Sequence, residues 1–407
     1  MIGRAPRCGF AAAAILLASA SGPASAAAWR FEPVVDVRVE RTDNVQLDDP
    51  RITDGESATI LRTGVRLSVE RETPRSSWSL AWRPVRETYD GFSQYDNTAH
   101  AATLGWSWQA SRRASWSLAG TWTRTERARV SLDEGSELID VIDVGVVRTT
   151  TWSGRLQGLL TGGPRNRFVV AADTFGTSYA SDAPGFAALD DARTTGAELA
   201  WETDLGPRTV GGLSVRASRI DEGRRGEYDT RTVLVGFRFG AVERLQVTLA
   251  AGVTATDVRD PGVFAAIDVP NTETGRIVLA RRIGARTTLA AGVARSVDSS
   301  RGVGGVSVND RAYLRLSRDL GPRHTIAAAI NWTDRDPVED DPLTGVDRGL
   351  RTAGYRLEWA ARLGRRWALV LAGDRIDQSA ATEGAVPEID RTIWSLGLRW
   401  SPLAPAR

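Results

Sequence analysis

The chemistry open to this chain is narrow: two histidines, His100 and His324, one cysteine, Cys8, and a large set of arginines and carboxylates with no lysine at all. His100 shares the parity of Leu104 and Trp106, and His324 that of Ile326 and Ile330, which puts both on an apolar face near strand ends. Neither is placed to act as general base toward a serine or a water, so both are expected to be structural, interfacial histidines and catalytic residues are expected to be none. Cys8 lies in the charged start of the chain, and beyond it disulfides, thiolate metal sites and cysteine nucleophiles are all excluded. The acidic run from Asp334 to Asp341 lacks the glycine and closing glutamate of a calcium loop and is read as a solvated loop. Gly302-Val303-Gly304-Gly305 has no strand-to-helix setting for phosphate and is read as a loop too. No metal or cofactor is expected.

What remains is charge, and its placement depends on the elements that carry it. From Arg351 to Asp377 two alternating runs fold back about a short turn, Leu363-Gly364-Arg365-Arg366. On the first arm Ala353, Tyr355, Leu357 and Trp359 alternate with Arg356, Glu358 and Arg362; on the second Trp367, Leu369 and Leu371 alternate with Ala368, Val370, Ala372 and Asp374. A period of two with one apolar face is the signature of a strand.

The unit recurs. Short basic turns follow at Thr73-Pro74-Arg75, Arg112-Arg113, Gly163-Pro164-Arg165, Gly206-Pro207-Arg208, Glu243-Arg244, Gly284-Ala285-Arg286 and Gly321-Pro322-Arg323, about 36 to 51 residues apart. Longer segments rich in Asp, Gly, Pro and Asn alternate with them, as at 44–57, 179–192, 259–273 and 334–349. Short turns at one end of every strand and long polar loops at the other are the asymmetry of an outer-membrane barrel. Two strands of about 12 residues in each period argue against propeller blades. The fold expected is therefore all-β: a closed antiparallel transmembrane barrel of about 18 strands, with short periplasmic turns and longer extracellular loops. Tryptophans near the turns, Trp78, Trp108, Trp116, Trp367 and Trp400, suit an interfacial girdle.

The first residues supply the matching address. Arg4 and Arg7 precede an apolar run from Phe10 to about Ala18 and then Ala24-Ser25-Ala26, the pattern of a secretory signal peptide. The expected organisation is residues 1–26 signal, 27–400 barrel and 401–407 a short tail, in the outer membrane of a Gram-negative bacterium. The formal charge of +2 lies entirely in Arg4 and Arg7, since 52 basic residues less these two leave 50 against 50 acids. A neutral remainder gives no basis for a nucleic-acid partner. The partners expected are outer-membrane lipid and lipopolysaccharide, the barrel-assembly machinery, and polysaccharide or small anionic solutes.

By parity the lumen receives Arg62, Arg66, Arg83, Arg155, Arg216, Arg238, Arg276, Arg315, Arg356 and Arg399. Facing the same way are Glu32, Asp36, Glu40, Glu70, Glu198, Glu202, Glu358 and Asp374. Arginines are expected to predominate in the middle and end of the chain, with carboxylates on the first strand. Such a lumen either attracts anionic solutes or pairs its own charges to stiffen the barrel.

Phe31-Glu32-Pro33-Val34-Val35, followed by Thr42-Asp43-Asn44-Val45, resembles the opening of the type-2 β-barrel porins and is similar to outer-membrane barrels of exopolysaccharide systems. In these an aromatic-x-Pro opens the first strand and Asp-Asn closes it. The resemblance implies a non-classical porin, or a barrel for export or surface assembly of polysaccharide; an outer-membrane enzyme ranks third. The chain departs from the pattern at its end, where Ser401 to Arg407 follow Trp400 instead of a terminal aromatic. The assembly signal is then read internally at 396–400, or the tail is an extension.

Overall fold

A computed structural model describes residues 29–45, 55–125, 148–180, 191–223, 226–242, 245–260, 271–299, 306–337, 349–380 and 388–402. The signal-peptide reading, the Gly302–Gly305 stretch and most of the tail lie outside the described residues.

The strands are β1 (Trp29–Thr42), β2 (Ala58–Glu72), β3 (Ser76–Tyr89), β4 (Asn97–Ser111), β5 (Ala114–Thr125), β6 (Arg148–Thr161), β7 (Asn166–Ala180), β8 (Ala192–Gly206) and β9 (Thr209–Asp221). They continue as β10 (Glu227–Val242), β11 (Leu245–Asp260), β12 (Thr272–Ile283), β13 (Thr287–Ser299), β14 (Val306–Asp319), β15 (His324–Pro337), β16 (Leu350–Arg362), β17 (Trp367–Ala380) and β18 (Ile389–Trp400). All 18 form one antiparallel sheet in which each strand pairs with its chain neighbours, and β1 pairs with β18. The sheet is thus a closed barrel with no free edge, so every strand has a ladder partner on both sides.

Most strands run longer than the 12 residues expected, up to 16 in β10 and β11, while β5, β12 and β18 have 12. The cause is visible at β15. Asp334, Arg335, Asp336 and Pro337 extend the strand instead of opening a loop, with Arg335 opposite both Asn309 and Leu350. Polar residues continue the ladder past the apolar band, so a hydropathy reading stops too early.

Connections alternate as the turn chemistry requires. Only residues 112–113 join β4 to β5 and 207–208 join β8 to β9, whereas 43–57 separate β1 from β2. Gly284 adopts φ +64°, a left-handed conformation that favours glycine in a turn this tight. Arginine closes these turns for a reason beyond charge: its carbonyl joins one hairpin to the next. Arg75 O accepts from Gln109 N at 2.7 Å, Arg113 O from Thr161 N at 2.8 Å, Arg208 O from Gly240 N at 2.8 Å and Arg366 O from Ser401 N at 2.9 Å.

The two faces separate by parity. On β1 Asp36, Arg38 and Glu40 are buried at 6%, 7% and 1% exposure, while Val37 and Val39 stand out at 42% and 51%. Exposed Leu104, Val235, Phe237, Leu314, Leu357, Leu371 and Leu396 continue this apolar outer surface around the barrel. An exposed apolar belt of this extent is unsuited to water and suited to hydrocarbon. Near the short turns Trp78 packs on Trp106 at 5.6 Å, Trp108 faces Trp116, and Trp367 faces Trp400. This is the belt of amphipathic rings an interface favours. No helix among the described residues is long and apolar enough to cross a membrane, which says nothing of strands.

Candidate functional site: a charged lumen

Because directly opposed residues of antiparallel strands share a face, the register carries the inward face from strand to strand. Starting from Asp36, it passes through Arg62 opposite Arg38, Arg155 opposite Asp173, Glu198 opposite Arg216, Arg276 opposite Ala250 and Ala294, Arg315 opposite Ala329, and Arg356 opposite Asp374, and returns through Arg399 to Asp36. Glu32, Glu40, Arg66, Arg83, Glu202, Arg238 and Glu358 lie on the same face of their strands, as does Glu70.

Most of these charges are brought together. Asp36 accepts from Arg38 Nε at 2.6 Å and from Arg399 Nε at 3.4 Å. Arg62 lies 3.6 Å from Glu40 and 3.3 Å from Glu87. Arg155 reaches Glu198 at 2.6 Å, and Arg216 holds Asp173 through two bonds of 2.6 Å. Arg238 donates to both oxygens of Glu202 at 2.8 and 2.9 Å. Arg356 bridges Glu358 at 2.7 Å and Asp374 at 2.9 Å. Glu32 accepts from Ser401 Oγ at 3.4 Å.

Four arginines are not joined. Among the described residues no carboxylate pairs with Arg66, Arg83, Arg276 or Arg315. Arg315 instead lies over the Tyr313 ring, 4.6 Å from its centroid. A guanidinium stays charged at any physiological pH, so these groups carry fixed positive charge.

Sequence reading passed over several members of the network. Glu87, Arg167, Asp173 and Asp204 were not among the candidates, yet Arg167 meets Asp204 at 2.6 Å and Asp173 anchors Arg216. Asp173 is hidden because its neighbours on the inward face of β7 are Val169, Ala171 and Phe175, so alternation there is weak. The expected clustering of carboxylates on the first strand is also too narrow, since Asp173, Glu198, Glu202 and Asp204 form a second acidic group on β7 and β8. A usable signal existed. Arg155 and Glu198 are 43 residues apart, Asp173 and Arg216 also 43, and Glu202 and Arg238 36. That is one hairpin period, which places the partners side by side on strands two apart.

Burial along the lumen is uneven. Inward residues toward the long loops are enclosed, including Glu40 at 1%, Gln378 at 1%, Ile389 at 1% and Ile393 at 3%. Toward the short turns Thr103, Ser107, Gln109 and Ser117 are open, and a chamber of about 1000 Å³ is lined by Arg165, Arg167, Asp204, Arg208 and Arg282 among others. Strands β8 and β13, not neighbours in the sheet, come within 8 Å at their Cα atoms, so the barrel is pinched between them.

No protein-family model matches the chain. No curated protein matches its sequence either. Among solved structures it is similar to OccK2 (OpdF) of Pseudomonas aeruginosa, crystallised with glucuronate: 14% identity over 92% of this chain and 98% of that one, TM-score 0.45. OccAB4 of Acinetobacter baumannii matches at 9% identity over 93% and 98%, TM-score 0.44. The siderophore receptor PirA of P. aeruginosa matches at 10% over 92% and 80%, TM-score 0.41. Likeness at this level assigns neither a solute nor a mechanism.

His100 stacks on Trp82 and lies tilted against Trp122, each 6.1 Å away, and His324 stacks on Trp359 at 5.7 Å. Both stand on the outer face, apart from the inward carboxylates. Of the acidic run from Asp334, residues beyond Pro337 lie outside the described residues.

Proposed function

We propose that this chain is an outer-membrane channel of a Gram-negative bacterium, porin-like, passing small hydrophilic solutes with a preference for anionic or sugar-type ones. The observation that carries this is the division of a closed barrel into an apolar exterior and a lumen where Arg66, Arg83, Arg276 and Arg315 have no carboxylate partner among the described residues, against Glu32 and Glu70 without an arginine. Paired charges order the wall and contribute little net field, while unpaired arginines hold a positive potential along the path. Lipid and lipopolysaccharide surround the outer face, and the barrel-assembly machinery inserts it. Planar-bilayer recording of the purified protein tests the reading. Resolvable single-channel steps with anion preference are expected, and the R276S/R315S double variant is expected to shift the reversal potential toward cations. Silence in the bilayer sinks it.

A second reading has one observation in its favour. Enclosure of Glu40, Gln378, Ile389 and Ile393 narrows the lumen toward the long loops. A barrel closed to free diffusion fits export or surface assembly of polysaccharide, the role implied by the resemblance at Phe31–Val35. Absence of conductance from a correctly folded protein favours this second role.

A further inference from the structure

Near the short-turn end, seven adjacent strands, β3, β2, β1, β18, β17, β16 and β15, line a cavity of about 480 Å³. Strands β2, β3 and β18 contribute Arg66, Arg83 and Arg399, and the turns and strand ends around β15, β16 and β17 contribute Arg323, Arg362, Arg365 and Arg366. The lining carboxylates are Glu32 and Asp36, so seven cations face two anions, an excess of five. Even these two are engaged, Asp36 by Arg38 and Arg399 and Glu32 by Ser401.

Arg66 and Arg83 make the arrangement specific. They face each other across β2 and β3, between the opposed pairs Gly64–Val85 and Leu67–Trp82. Opposed like charges destabilise a strand pair, and among the described residues neither has a carboxylate partner. A cavity of this volume lies in the range that holds a small organic ligand. Planar guanidinium forks match phosphate oxygens two at a time, and an excess of several charges favours a ligand that is more than singly negative.

We propose that this cavity is a binding site for a multiply charged phosphate group, held by Arg66 and Arg83 from β2 and β3 and by the Arg362–Arg366 turn at the short-turn end of the same wall. It deepens the channel reading in requiring a lumen reachable by solute, but its test needs no current. The group belongs either to a soluble organic phosphate or to an anionic phospholipid head group at the periplasmic leaflet.

Isothermal titration of the full barrel in zwitterionic detergent with inorganic pyrophosphate tests it. One saturable site is expected, weakened at least tenfold in R66S/R83S and unchanged in R351S, whose exposed arginine lies at the long-loop end of β16, outside the cavity. No saturable binding, or equal affinity in R66S/R83S, overturns the site. Should R66S/R83S fail to fold, R365S/R366S on the turn replaces it, with the same loss expected and an unchanged affinity overturning the proposal. Repeating the titration in nanodiscs containing phosphatidic acid, whose head group is a phosphomonoester, and in nanodiscs of phosphatidylcholine alone assigns the source: competition by phosphatidic acid marks a lipid head group, and equal affinity in both marks a soluble phosphate. A conducting barrel that binds no pyrophosphate removes this site and leaves the channel reading; binding without conductance does the reverse.

Discussion

Arg356 shows what the lumenal pairs do for the fold. Its side chain is 13% exposed and that of Asp374 5%, so both charges are held away from bulk water and each depends on the other. A pair this enclosed contributes little over an apolar substitute, yet breaking it leaves one charge buried and unmatched, at a cost of about 3 to 5 kcal/mol. The double variant Glu358→Gln/Asp374→Asn, which removes both carboxylates that Arg356 bonds, is therefore expected to destabilise the refolded barrel by about that amount in urea unfolding. Asp229→Asn, which removes a partner of the half-exposed Arg219 and Arg259, is expected to cost at most about 1 kcal/mol in the same assay. Equal losses would show that burial does not set the value of these pairs.

Each strand divides two environments one residue apart. On β10, Val233, Val235 and Phe237 stand on the outer face at 43%, 52% and 42% exposure, while Thr232 bonds inward to Thr254 at 2.8 Å and Arg238 to Glu202. Val235 lies in mid-strand, where an outward charge meets the hydrocarbon. Val235→Arg is expected to lower stability by about 2 to 4 kcal/mol in refolding into lipid vesicles. A loss below about 1 kcal/mol would place that position outside the apolar band. The same alternation explains why arginine is abundant in the chain without disrupting the barrel: on the inward face it finds carboxylates and solvent.

At the scale of the whole molecule, the seam between β1 and β18 decides whether the sheet is a barrel. Val37 lies opposite Leu398, and Val39 opposite Leu396, across partners more than 350 residues apart in the chain. The only cysteine is Cys8, so an engineered V37C/L398C pair has no competing thiol in a chain from which the first residues are removed. Opposed Cα atoms in such ladders fall about 4.5 to 5.5 Å apart, within disulfide reach. Oxidation of the folded protein is expected to cross-link the pair and to make its unboiled and boiled forms migrate differently from the reduced ones. Failure of V37C/L398C to cross-link in a folded sample would open the seam. The pinch between β8 and β13 belongs to this scale as well, since it shapes the lumen without leaving a mark on any one strand.

Side-chain parity is a local property, set every two residues by the extended backbone, and the sequence alone therefore determined the strands, their inward and outward faces, the alternation of turns with loops and the number of arms. It also placed the candidate lumenal arginines and carboxylates on one side of the sheet. Partner choice was another matter. Whether Arg155 meets Glu198, or Arg399 meets Asp36 from the far end of the chain, depends on register and closure, and these are summed over all 18 strands. Only the tertiary structure decided which arginines are matched and which are left to face Arg66 and Arg83 in the cavity near the short turns, because pairing is a property of distance across the barrel and not of position along the chain.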